Sequence, residues 1–492
     1  MRRILYFILG LCHLPFVALA DGANDNFARA TAAVEAATPR AQADPYHPIF
    51  HVAAPAQWMN DPNGPIFWKG YYHLFYQLHP FSEGSGPKYW GHVRSRDLVK
   101  WEHLPIAIWP SSEFKEAEIW SGCCTVNGLG VPTIFYTSIT EGKGAGDHAE
   151  QWSATSADDD LVHWQKSPLN PVLTEALHGD KKIYDWRDPF VFHDGNKTFL
   201  VTGGNLNRAA GGQATVNIYE AQNPELTQWT YRGVMFHHPD ADARTVECPN
   251  FFKVGNNYVL IMSPYGAVQY FIGDFDAATC RFEAHTHGQL DYGPNFYAPN
   301  TMQVPDGRRL LWGWVTGIPE GHGWNGCLTV PRQLSLSPNG QLRQAPAPQL
   351  EKLRGKGVSW RNILLTGHGQ ILTLPKTNTL EILTRIDLKK AKAVALEIKS
   401  SAKDAPVITL HFDGSELSMM ESKAPLHRVK DGEDLTLRIY MDRSVLEVFA
   451  NETVCFTKTI KPLASDATLE VRSEDGEAKA ILIDAWPMKT IW

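Results

Sequence analysis

The 492-residue sequence is poor in three features, and each shortage excludes something. It has no block of basic residues, and its formal net charge is −7. Both argue against nucleic acid as a partner. Past the first twenty residues no apolar run is long enough for a membrane-spanning helix, so no membrane span is expected in the body of the chain. Cysteine is sparse: Cys12, Cys123, Cys124, Cys248, Cys280, Cys327 and Cys455 match neither a disulfide framework nor a zinc-ligand spacing. Few or no bridges, no metal and no cofactor are therefore expected. Cys248 has no evident histidine partner and reads as a small buried residue rather than a thiol nucleophile.

Aromatic residues, glycine and proline are frequent by contrast, which fits an all-β chain with aromatic sugar platforms. The stretch Trp58-Met59-Asn60-Asp61-Pro62-Asn63-Gly64 places a carboxylate in a turn. A hairpin pattern follows at once, with Pro65 to Trp68, a Lys69-Gly70 turn, and Tyr71 to Gln77. The hairpin recurs at Thr125 to Thr137, Pro189 to Val201, Pro249 to Met262 and Thr301 to Trp314. Five copies separated by roughly 50 to 65 residues match a radial array of sheets.

A second repeat runs in step. Asp97-Leu98-Val99-Lys100-Trp101, Asp160-Leu161-Val162-His163-Trp164 and Glu225-Leu226-Thr227-Gln228-Trp229 share an acid-Leu-x-x-Trp pattern, with Asp276 to Phe282 as a degraded fourth copy. One hairpin and one outer strand pair per period make a propeller blade, so five blades are expected over residues 46–341. The competing reading is a large sandwich with accidental similarity. Three hairpins follow an acid close to a proline: Asp61-Pro62, Asp188-Pro189 and Glu247-Cys248-Pro249. If the hairpins open their blades at the axis, the three acids share one mouth of the channel. Like charges there push proton affinities apart, as a two-carboxyl cleavage of a glycosidic bond requires.

Residues 1–20 read as a cleavable signal peptide: Arg2 and Arg3, an apolar core from Ile4 to Val17, and a small-residue site at Ala18-Leu19-Ala20. A secreted or periplasmic location is expected. The Ala-rich residues 21–45 read as a loosely ordered leader. Residues 342–357 read as a linker. Short strands without helical periodicity over residues 358–492 read as a β-sandwich that supports rather than performs chemistry.

The motifs around Asp61, Asp188 (with Arg187) and Glu247 resemble the three signatures of glycoside hydrolase family 32, the β-fructofuranosidases. The likeness extends to Tyr72 to Gln77, Trp90-Gly91-His92, Trp120-Ser121-Gly122, Phe296-Tyr297-Ala298 and Asp442 to Phe449, in order over nearly the whole mature chain. The resemblance implies a five-bladed β-propeller followed by a β-sandwich. It implies Asp61 as nucleophile, Glu247 as general acid and base, and Asp188 with Arg187 holding fructose hydroxyls. Such a double displacement retains configuration, with its two working carboxyls about 5 to 5.5 Å apart. It further implies Asn60, Gln77, Trp120, Ser121, Tyr297 and Trp314 as substrate contacts, and sucrose or a β-fructan (inulin, levan, fructo-oligosaccharides) as carbohydrate substrate.

Two departures stand out. Family members usually carry a further Trp shortly before Trp90, where this chain has Ser85 in Gly84-Ser85-Gly86-Pro87. Plant-type invertases carry an acid in a longer loop after the strand ending at Trp314, whereas Val315 to Gly326 is short and Glu320 is its only acid. The first removes an aromatic wall from the pocket rim and leaves the leaving-group preference open. The second leans toward fructan or fructo-oligosaccharide over strictly sucrose hydrolysis. The rival readings are an inverting five-bladed arabinanase or xylosidase, and a sugar-binding protein without catalysis. Fructosyl transfer also stays open, because water and an acceptor sugar compete for one intermediate.

Overall fold

Runs of aromatic and β-branched residues broken by glycine turns fold as the repeats require: five antiparallel sheets, then two more. The computed structural model describes residues 21–140, 149–207, 212–426 and 434–492. The expected signal peptide lies outside the described residues. Blade 1 is Gln57–Trp68, Tyr71–His79, Tyr89–Ser95 and Trp101–Ile108; blade 2 begins at Glu116–Val126, blade 3 at Ile183–Asp194, blade 4 at Glu247–Val254 and blade 5 at Phe296–Gln303. Trp324–Asn325, in the last blade's loop, pairs parallel with the first blade's inner strand and so links the ends of the ring.

The acid-Leu-x-x-Trp repeat is the turn into the outer strands of blades 1 to 3. Leu98, Leu161 and Leu226 are left-handed (φ 63°, 55° and 58°), and the indole N–H of Trp101, Trp164 and Trp229 donates to their carbonyls at 3.2, 2.8 and 2.9 Å. In blade 1 the motif's own acid, Asp97, accepts the N–H groups of Val99 and Lys100. In blades 2 and 3 the turn is capped two residues earlier, by Asp158 and Asn223, rather than by Asp160 or Glu225.

Two boundaries differ from expectation. Residues 21–45 hold an α-helix, Asp21–Ala43, rather than a loose leader. Its alanines serve as a packing face: Ala30, Val34 and Ala41 are buried, and Arg40 bonds the Gly321 carbonyl at 2.8 Å and pairs with Glu83 at 3.2 Å. The propeller also runs past residue 341. Leu342–Pro346 pairs with Arg332–Leu336 as the last outer strand, burying Leu342, Gln344 and Pro346 on one face. Its Pro- and Gln-rich composition hid that alternation, and the connector shrinks to the 3-10 turn Pro348–Leu353.

The sandwich stacks two six-stranded sheets. It includes a hairpin, Glu416–Met419 with Ser422–Pro425, that the sequence pattern had not revealed. Its hold on the propeller is a sealed charge cluster. Arg332 pairs with Glu447 at 2.6 Å and with Asp291 at 2.9 Å, while His51 bridges Asp442 at 2.9 Å and Glu447 at 3.0 Å. Asp442 also accepts the backbone N–H groups of Ile49, Phe50 and His51. Burial opposes a charge on His51, but Asp442 and Glu447 outweigh it and raise its pKa to about 9.

Removing one partner of such a buried cluster leaves the others uncompensated. Glu447→Ala is expected to lower the unfolding free energy by about 3–5 kcal/mol, measured by urea denaturation. His51 binds its proton more tightly folded than unfolded. Its contribution is complete below pH 6.5 and lost as pH rises through about 9. Melting temperature should fall across that window, and fall less steeply in His51→Gln.

Candidate active site

Each innermost strand breaks register at an equivalent place, three residue steps facing two on its neighbour, and those of blades 1 to 3 break a second time elsewhere. The equivalent breaks span Met59–Pro62, Ile119–Gly122, Arg187–Phe190, Glu247–Asn250 and Tyr297–Asn300. A bulge bends the strand and re-aims its side chains, and here all five bulges lie at one level of the channel. In blades 3 to 5 a left-handed residue precedes proline: Asp188 (φ 59°), Cys248 (46°) and Ala298 (44°). A non-glycine residue held there costs about 1–3 kcal/mol, so the surrounding sheet must impose it.

The result is one cavity of about 350 Å³. All ten residues singled out in the sequence line it: Asn60, Asp61, Gln77, Trp120, Ser121, Arg187, Asp188, Glu247, Tyr297 and Trp314. Asp61 accepts from Ser121 Oγ at 2.5 Å and from Asn60 Nδ2 at 3.0 Å. Gln77 ties these two donors together, accepting from Asn60 at 2.5 Å and donating to Ser121 at 2.6 Å. On the other side, Glu247 receives Arg187 Nη2 at 2.8 Å and the Tyr297 hydroxyl at 2.6 Å. Asp188 accepts the Cys248 N–H at 2.9 Å, and the Cys248 thiol lies 3.6 Å from both Asp61 and Asp188. Burial pushes that thiol well above its ordinary range, which suits a packed spacer and not a nucleophile.

Three lining residues, Trp58, Lys88 and Glu118, and one supporting residue, Tyr265, were not foreseen. Trp58 packs edge-on against Trp314 at 5.6 Å and donates its indole N–H to Asn60. Lys88 donates to Ser85 Oγ at 2.8 Å, at the rim where the usual Trp is missing. Glu118 accepts the Trp120 indole N–H at 2.9 Å. Tyr265, from the loop after Ser263, bonds Arg187 through its hydroxyl. Trp58 was within the opening motif, but Lys88, Glu118 and Tyr265 sit in no repeat. Glu320 does not line the cavity.

Burial raises all three carboxyls. For Asp61 the bonds from Ser121, Asn60 and Cys248 work against that rise, and for Glu247 those from Arg187 and Tyr297 do. Asp188 is pushed up to about 7, by burial first, with Arg187 opposing and the charges of Glu247 and Asp61 adding. Arg187 and Lys88 set two cations against three buried carboxyls, which favours keeping a proton on one of them. Asp188, pushed up to about 7, is the group raised far enough to hold it near neutral pH. That state can donate a proton on one side of a bound group while attacking from the other.

Difference infrared spectroscopy should show a protonated carboxyl band that fades as pH rises through about 7. The band should be absent in Asp188→Asn; its persistence would assign the proton to another acid.

Comparison with known proteins agrees with this geometry. Residues 51–346 match the model of the "Glycosyl hydrolases family 32 N-terminal domain", and residues 349–487 match that of the "Glycosyl hydrolases family 32 C terminal". The sucrose-6-phosphate hydrolase of Escherichia coli is 30% identical over 464 residues, covering 88% of this chain and 93% of that one. The levanase of Bacillus subtilis (strain 168) is 30% identical over 509 residues, covering 91% of this chain and 71% of that one. The solved structure of a Bombyx mori family 32 beta-fructofuranosidase superposes with a TM-score of 0.80 at 26% identity, covering 95% of this chain and 99% of that one. With both of its domains matched, and three carboxyls gathered at the axis of its blades, the chain belongs to glycoside hydrolase family 32 and is a β-fructofuranosidase-type glycoside hydrolase.

Proposed function

We propose that the protein is exported and releases terminal β-D-fructofuranosyl units from sucrose or β-fructans with retention of configuration. One observation supports this above all: Asp61 and Glu247 share a cavity, each fixed by its own separate donors. In this reading Asp61 attacks the anomeric carbon while Glu247 protonates the departing oxygen. Glu247 then takes a proton from water, whose oxygen displaces Asp61 and returns the free sugar. Hydrogen bonds from Ser121 and Asn60 favour the ionised form of Asp61 that attack requires. Substrate excludes water from the cavity, which raises the proton affinity of Glu247 toward that of a working acid. Asp188 and Arg187 hold fructose hydroxyls, and Trp58, Trp120 and Trp314 offer apolar faces to the sugar.

Asp61→Ala is expected to reduce fructose release from sucrose, inulin and levan by about 10³-fold or more without loss of folding. Full activity would remove the nucleophile assignment. Nuclear magnetic resonance of the first product should show the β-anomer; the α-anomer would indicate an inverting, arabinanase-like course. Export is supported by the sequence of residues 1–20 and is checked by N-terminal sequencing of protein recovered outside the cytoplasm.

A second reading, phosphorylated sucrose, is favoured by Lys88. This lysine lines the cavity and has no carboxylate ion pair among the described residues. Several relatives are named sucrose-6-phosphate hydrolases. If Lys88 meets a sugar phosphate, Lys88→Met should cut kcat/KM for sucrose 6-phosphate by roughly tenfold or more and leave sucrose nearly unaffected. An equal change on both sugars restores the unphosphorylated reading.

A further inference from the structure

The five inner strands that bring the carboxyls together continue past them. Farther along the same strands a second cavity of about 360 Å³ opens, lined from all five blades. On blade 3 its lining runs from Phe190, two residues beyond Asp188, to His193, five residues beyond, so its far end lies roughly 15 Å along the strand from the catalytic aspartate. None of the proposed fructosidase chemistry uses this end of the channel.

Its lining has a charge imbalance. Arg309, Lys253 and His193 contribute to it, and among the described residues no aspartate or glutamate does. Arg309 is only partly exposed, and its Nε is sealed from solvent without a hydrogen-bond partner. Its Nη1 donates to Thr301 Oγ at 3.0 Å, and its guanidinium lies 4.1 Å from the centre of the Phe252 ring. Burial lowers its pKa to about 9, with no carboxylate acting in the other direction. The guanidinium stays charged at neutral pH.

The other deep arginines of the chain are balanced. Arg332 has Asp291 and Glu447, Arg187 has Glu247, and Arg354 and Arg438 share Glu381. A buried guanidinium without a counter-charge is costly, and among the described residues Arg332, Arg187, Arg354 and Arg438 are each supplied with one. Lys253, exposed on the inner strand of blade 4, likewise has no ion pair among the described residues. Two unbalanced cations from adjacent blades therefore face one cavity whose remaining wall mixes apolar side chains with the neutral polar groups of Thr125, Asn300, Thr301 and Gln303.

We propose that this distal cavity is a binding site for the oxyanion group of a small molecule, a phosphate or a carboxylate, with Arg309 as its principal ligand and Lys253 as a second. A guanidinium offers paired N–H donors in the geometry either group accepts.

Isothermal titration calorimetry of the whole protein at neutral pH, with inorganic phosphate and separately with benzoate, tests this and distinguishes the two sources. Saturable one-site binding of at least one anion is expected at millimolar concentration. It should be unchanged in Asp61→Asn, which alters only the catalytic cavity, and weakened by roughly tenfold or more in Arg309→Met. A melting temperature of Arg309→Met at or above that of the wild type in anion-free buffer is also expected, since the variant removes an unbalanced charge. Should Arg309→Met fail to fold, Lys253→Ala at the exposed position serves instead and should also weaken binding. No binding of either anion, binding abolished by Asp61→Asn, or affinity unchanged in the Arg309 or Lys253 variant overturns the proposal.

Discussion

Everything at the catalytic end of the channel depends on one backbone constraint, the register break carried by all five innermost strands at the same level. A regular strand alternates its side chains between two faces and could not turn two neighbouring residues toward the axis. With an extra residue inserted, Asn60 and Asp61, Trp120 and Ser121, and Arg187 and Asp188 line the cavity as adjacent pairs. The left-handed conformations at Asp188, Cys248 and Ala298 are part of the same device. Their strain is tolerated because each sheet is held on both sides of the break.

Electrostatics then divides labour among groups of the same kind. Asp61 is surrounded by neutral donors fastened to one another through Gln77, whereas Glu247 is surrounded by a cation and a phenol. Asp188 lies between them, its backbone bond from Cys248 insufficient to keep it fully ionised. A small thiol fills the space among the carboxyls without adding a charge. Burial raises all three acids within one cavity, while the groups that oppose the rise differ from one to the next.

The sandwich contributes from a distance. Glu447 and Asp442 bind Arg332 and His51 of the propeller, and Asp291 joins the cluster through Arg332 and Thr457. The helix Asp21–Ala43 performs a related task, packing against the loop that carries the closing strand Trp324–Asn325. Both hold the first and last blades in place, and the cavity draws residues from each of those blades.

The sequence by itself determined the blade count, the sandwich, and the identity of the residues that meet at the axis. The blades, the sandwich and the three acids rest on local chemistry: aromatic hairpins, glycine turns, and acids beside prolines repeating at one spacing. Asn60, Gln77, Trp120, Ser121, Arg187, Tyr297 and Trp314, by contrast, were implied by the family resemblance. It did not reveal the helical packing of residues 21–43 or the last outer strand Leu342–Pro346. Alanine-rich and proline-rich compositions carry little local preference for the faces they bury. Lys88, Glu118 and Tyr265 escaped notice for a related reason: they come from loops and strand ends outside the repeat, and reach the cavity or, for Tyr265, its Arg187 only once the ring is closed. The capping roles of Asp158 and Asn223, the charge cluster on Glu447 and the unbalanced Arg309 were likewise settled by tertiary structure. Whether a charge is paired depends on residues hundreds of positions away, and no local pattern encodes that distance.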